Sequence, residues 1–142
     1  MATNPTITIA PLINSATHRA VYVTVSAGAA TTQLTNSIIY DPTTTPWTNS
    51  GAYVGTKIRV VSVTSSVQSG TSLPQISLDW DASTPVTAVS IPCNSHFCVD
   101  TIKHFAPLPN QGGTGVTGKI GLTTLGLVAG DTITILLEII NG

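Results

Sequence analysis

Of the groups able to do chemistry, the densest run is Gly113-Thr114-Gly115-Val116-Thr117-Gly118-Lys119. It matches the G-x-x-x-x-G-K portion of a phosphate-binding loop, in which backbone N–H groups and the lysine cradle phosphate oxygens. That chemistry also needs a Ser or Thr after the lysine to hold a metal, a buried strand before the loop and a helix after it. Here Ile120 follows Lys119, Pro107-Leu108-Pro109-Asn110-Gln111 precedes the run, and the residues beyond it alternate as a strand does. The context predicts no nucleotide and no other cofactor.

Cys93, His96, Cys98 and His104 form the one cluster of metal-ligand types, and a Cys-x4-Cys pair with nearby histidines is chemically able to bind zinc. The spacing does not match the short zinc motifs, so no metal is expected. The structural alternatives are two buried thiols, or one disulfide across a hairpin whose loop is Asn94-Ser95-His96-Phe97. Asp79 and Asp81 flank Trp80 and would share a strand face, as paired carboxylates or a calcium-binding turn would. The simpler reading is a solvated strand end.

Trp80 is in phase with Ile76 and Leu78 and reads as core, whereas Trp47, in a Pro-rich loop, is the better exposed candidate for stacking on a sugar. For nucleophilic catalysis there is no Gly-x-Ser-x-Gly elbow, and His18, His96 and His104 have no identifiable Ser or Cys partner. The chain is read as a non-enzyme with no catalytic residue. A carbohydrate-active enzyme is a minor reading, and Asp79, Asp81 and Asp100 would be its acids.

The elements that must position these groups are strands. Val21, Val23 and Val25 alternate with Tyr22 and Thr24, and Ile76, Leu78 and Trp80 alternate with Gln75, Ser77 and Asp79. Ile133, Ile135, Leu137 and Ile139 line one face of the last run. Between Lys57 and Thr64 the alternation changes phase, from Ile58 and Val60 to Val61 and Val63, as a bulge or a strand buried on both faces would produce. Weaker strand patterns cover Val86 to Ile91, Phe97 to Ile102, Val116 to Leu125 and Ser37 to Tyr40.

Turn chemistry separates these runs at Asp41 to Pro46, Asn49-Ser50-Gly51, Ser69-Gly70, Asp81 to Pro85, Pro107 to Gly113 and Ala129-Gly130. The reading is all-β: a single jelly-roll-like antiparallel β-sandwich of about eight strands. Residues 1–15, with Pro5 and Pro11, are expected to form an extended N-terminal arm, and residues 16–142 the sandwich.

The 142 residues are 42% hydrophobic but only 8% charged, against roughly a quarter charged in ordinary soluble domains. Threonine, serine and asparagine must therefore cover much of the surface, which suits dense packing against other subunits. With a net charge of −1 and Arg19, Lys57, Arg59, Lys103 and Lys119 scattered, no nucleic acid partner is expected. The opening Met1-Ala2-Thr3-Asn4-Pro5 lacks a secretory pattern and no apolar run reaches membrane-spanning length, so a soluble, cytosolically made chain with no membrane partner is expected.

Three stretches then stand out together: Ile76-Ser77-Leu78-Asp79-Trp80-Asp81-Ala82-Ser83-Thr84, Gly118 to Gly126 (GKIGLTTLG), and Ala129-Gly130-Asp131-Thr132-Ile133-Thr134-Ile135-Leu136-Leu137-Glu138. Their order resembles that of small jelly-roll virion proteins of tailed bacteriophages, in which a strand ending in Trp-Asp-Ala-Thr-Thr precedes a Gly-rich turn, a Leu-Thr-Thr strand and a closing Gly-Asp-Thr strand. The resemblance covers roughly Ile76 to Glu138. It implies a head decoration or cement protein on the capsid surface, assembled in the host cytoplasm. Such a protein binds the major capsid protein and forms homo-oligomers, often trimers. Cys93 to Cys98 and Lys103-His104 depart from the pattern. The alternative is a receptor-binding or tail-fibre domain that recognises host carbohydrate through Trp47, Tyr53 or the Asp79 to Asp81 loop.

Overall fold

A computed structural model describes residues 5–15, 17–28, 33–47, 58–69, 74–91, 97–101 and 108–141, with the backbone alone at 97–101, 108–109 and 141. The described residues form ten strands and no helix: β1 Thr6–Asn14, β2 His18–Ser26, β3 Ser37–Tyr40, β4 Ile58–Gln68, β5 Gln75–Trp80, β6 Val86–Ile91, β7 Phe97–Thr101, β8 Leu108–Pro109, β9 Ile120–Leu125 and β10 Thr132–Asn141. They build two antiparallel sheets that close on one core, a β-sandwich.

The larger sheet has the order β1-β2-β10-β4-β7, and β8 pairs with β4 beyond the end of β7. Residues 64–68 of β4 face β7, and Arg59 and Val60 face β8, so β7 and β8 occupy one edge in succession. The smaller sheet has the order β3-β9-β5-β6. From β2 onward the chain changes sheet at every connection except β5 to β6 and β7 to β8.

Alternation decides which residues enter the core. Ile133, Ile135, Leu137 and Ile139 of β10 are fully buried and lie beside Val21, Val23 and Val25 of β2. Each such side chain contributes about 1.5–3 kcal/mol on burial, which places the central strand of the large sheet at the heart of the fold. Ile76, Leu78 and Trp80 of β5, with Ile120 and Leu122 of β9, supply the opposing layer. Trp80 is core, as its phase predicts.

The phase change in β4 is a bulge. Glu138 pairs with Ser62 and Ile139 with Val60, so Val61 is the extra residue. Ile58 and Val60 face inward before it, and Val63 and Val67 after it.

Two expectations come out differently. The segment expected as an arm is extended, but its residues 6–14 are the edge strand β1, in register with β2 from Thr6↔Ser26 to Asn14↔Arg19. Ser15 closes this hairpin: its N–H and hydroxyl both donate to the His18 carbonyl, at 2.9 Å each, and its oxygen accepts from the His18 N–H at 3.0 Å. The strand expected from Val116 begins only at Ile120. Gly113, Gly115 and Gly118 have φ of 69°, 77° and 81°, a left-handed path that a strand does not follow. The backbone there bonds to the Asp81–Ser83 turn instead, Ser83 N–H to Thr114 at 3.1 Å and Thr117 N–H to Asp81 at 3.2 Å.

Candidate functional site

The Gly113–Lys119 run folds as a turn that leads into β9 rather than into a helix. Its groups serve the fold: the Thr117 hydroxyl donates to Asp81 Oδ2 at 2.7 Å, the Lys119 N–H donates to Thr117 Oγ1 at 3.2 Å, and Lys119 Nζ lies 3.8 Å from Asp41.

The two carboxylates at the end of β5 are likewise tied into the small sheet. Asp79 is not a solvated strand end, as expected, but 6% exposed, accepting from the Thr123 hydroxyl and, at 3.1 Å, from the Ser77 hydroxyl. Asp81 Oδ1 accepts from Asn36 Nδ2 at 2.8 Å. Four different side chains thus occupy the carboxylate oxygens, and among the described residues no three of His, Cys, Asp and Glu are grouped to hold a metal.

Trp47 corrects the expectation of an exposed sugar platform, because it is 4% exposed. Its ring meets Tyr40 edge-on, with centroids 5.3 Å apart and planes at 60°. The guanidinium of Arg19, itself fully buried, lies 5.8 Å from the Trp47 centroid and donates to the Tyr40 hydroxyl at 3.1 Å. A guanidinium on an indole is a cation–π contact, strengthened by desolvation. Asn14 Nδ2 adds a 2.8 Å bond to the Pro46 carbonyl, fastening the end of β1 to the Trp47 loop.

Beside this cluster opens a cleft of about 400 Å³, lined by Ile9 and Pro11 of β1, Ile38 and Ile39 of β3, and Asp41, Thr44, Thr45, Pro46 and Trp47. Its volume is within the range of small-ligand sites, and its walls are mainly apolar. Asp41 is the charged group on its rim. Burial works to raise its carboxyl pKa, but the bonds from the Thr43 hydroxyl and N–H, with the charge of Lys119, outweigh burial and hold it below the ordinary carboxylate value.

The cleft exists because β1 overhangs. In antiparallel register, neighbours across a ladder point to the same face. Ile9 and Pro11 pair with Val23 and Val21, which face the core, yet Ile9 is 41% exposed. No pattern in the sequence marks the site, since its walls come from two segments, residues 9–11 and 38–47, that are distant along the chain. Cys93, His96, His104 and Tyr53 lie outside the described residues, as do the side chains of Cys98 and Asp100. His18 is placed in a 3.5 Å pair with Glu138 on the large sheet. In comparisons with known protein families, curated proteins and solved structures, the chain matches none.

Proposed function

We propose that this chain is a virion structural protein, a jelly roll that decorates the outer surface of a tailed-phage head and stabilises the shell. The observation that carries this reading is the strand order: β2-β10-β4-β7 in one sheet and β3-β9-β5-β6 in the other is the order that two nested Greek keys would give. That architecture is common to capsid and lectin domains, so it supports the class without deciding between them.

Surface chemistry favours the structural role. The outer side chains of β2 and β10 include Thr24, Ser26, Thr132 and Thr134, hydroxyl groups that hydrate without strong repulsion and allow many copies to dock closely. Cooperative clamping of the major capsid protein needs no catalytic group. It acts by mass action, since a ligand that binds only the assembled shell stabilises it.

The second reading is a domain that recognises host carbohydrate, and the observation in its favour is the cleft between β1 and β3. Its aromatic residue, Trp47, is buried, and only Asp41, Thr44 and Thr45 offer polar side chains, a poor set for a sugar. Cryo-electron microscopy of the particle encoded with this chain separates the two. Copies distributed over the head are expected, and density confined to the tail overturns the decoration reading in favour of receptor binding.

A further inference from the structure

The cleft between β1 and β3 is tied together from within. Trp47, one of its lining residues, is fixed by the Tyr40 ring and the Arg19 guanidinium. The 2.8 Å bond from Asn14 Nδ2 to the Pro46 carbonyl fastens β1 to the loop that forms the other wall. Ile9 and Ile38 line it while 41% and 37% exposed, so apolar area is left there for a ligand to cover. Among the described residues that line the cleft, Asp41 is the one that carries charge. Its Oδ1 accepts from the Thr43 N–H at 2.9 Å and from the Thr43 hydroxyl at 2.6 Å. Oδ2 lies 3.8 Å from Lys119 Nζ, beyond hydrogen-bond reach, and among the described residues nothing donates a hydrogen bond to it.

We infer that the cleft is a binding site for a small organic cation: a primary ammonium that donates to Asp41 Oδ2, carried on an apolar body that covers Ile9, Pro11, Ile38 and Pro46. Three observations select this chemistry. First, the lining is charged in one sense only. Burial works to raise the Asp41 pKa, but the Thr43 bonds and Lys119 outweigh it, so the carboxylate is ionised at neutral pH and repels an anion. Lys119 is a weak competitor for Oδ2, since its pair is long and its side chain 33% exposed. Second, a wholly apolar ligand would strip water from Oδ2 and leave a carboxylate oxygen covered without a partner, which is costly. An ammonium replaces that water with a charge-assisted hydrogen bond. Third, a cleft of about 400 Å³ in which only Thr44 and Thr45 add polar side chains suits a small, mainly apolar molecule with one polar end. Because the walls are already fastened to each other, binding has little to order.

The site does not depend on where the protein sits on a particle, so capsid binding can fail with the cleft still functional. The test is calorimetric titration of the full chain with n-hexylammonium, and separately with hexanol and hexanoate, which keep the apolar body and change its end. Saturable binding of n-hexylammonium is expected at about millimolar concentration, as befits a ligand of so few atoms. Hexanol and hexanoate are each expected to bind at least about tenfold more weakly, and Asp41→Asn to weaken n-hexylammonium by about tenfold. Ile9→Trp, which fills the cleft from an exposed wall, is expected to abolish binding with unchanged far-ultraviolet circular dichroism. Leu125→Ala, at an exposed leucine of β9 outside the cleft, is expected to leave it unchanged. Absence of saturable binding overturns the inference. So does equal affinity for hexanol, or n-hexylammonium binding that survives either Asp41→Asn or Ile9→Trp at full strength.

Discussion

Replacing Gly121 with alanine measures how closely the small sheet is drawn together. Gly121 lies between Ile38 of β3 and Asp79 of β5. A Cβ there would meet Asn36 Oδ1 at 1.9 Å, its Cγ at 2.8 Å and its backbone carbonyl carbon at 2.9 Å. Turning the Asn36 side chain away relieves the first two contacts but not the third, and it breaks the 2.8 Å bond from Asn36 Nδ2 to Asp81. Asn36 already holds a φ of 44°, so its backbone has little room to retreat. Overpacking costs about 1–3 kcal/mol, and loss of a hydrogen bond to a carboxylate about 1.5–3 kcal/mol. Gly121→Ala should therefore destabilise the domain by about 3–5 kcal/mol. Urea unfolding followed by fluorescence of the two buried tryptophans should show a lower midpoint at unchanged slope. Gly113→Ala is the control: its Cβ meets nothing within 4 Å at a φ of 69°, which leaves only left-handed strain of about 1–2 kcal/mol. If Gly121→Ala costs no more than Gly113→Ala, the close approach of Asn36 does not constrain the sheet and the reasoning is refuted.

Three further outcomes follow from the same geometry. Thr123→Val removes a donor from the buried Asp79 carboxylate and the acceptor of the 3.0 Å bond from the Asn36 N–H, and should lower stability by about 1–3 kcal/mol in the same assay. Trp47→Ala should cost about 3–5 kcal/mol as a large core truncation, whereas a surface platform would be removed with little change in the unfolding midpoint. Because the folded pKa of Asp41 lies below its unfolded value, its contribution is fully present above about pH 4 and disappears as pH falls through the folded pKa. Asp41→Asn should flatten that part of the acid limb of a stability–pH curve, and an unchanged limb would assign it to other carboxylates.

What could be read from the chain was set by how local each cause is. The strands β2, β5 and β10 declare themselves because Val21, Val23, Val25, Ile76, Leu78, Ile133 and Ile135 alternate with polar residues, and alternation is a property of neighbours. β1 was obscured by Pro5 and Pro11, which read as an arm, although Ile7 and Ile9 alternate with Thr6 and Thr8 as in any strand. Trp47 was misplaced because its burial depends on Arg19 and Tyr40 closing around it, and no local pattern reports that. The same holds for Asp79, whose partner Thr123 is 44 residues away. The bulge at Val61 was visible as a phase change, but only the partner register on β10 distinguishes a bulge from a strand buried on both faces. Because residues 6–14 belong to the large sheet, deleting residues 1–15 would remove an edge strand.

The central claim, that the chain binds a phage head and stabilises it, is tested most directly by heating particles made with and without it and recording the temperature of genome release. Binding to the assembled shell alone predicts a release temperature that rises when purified protein is added back and then saturates as sites fill. A release temperature that is the same with and without the chain, at full occupancy of the particle, would contradict it.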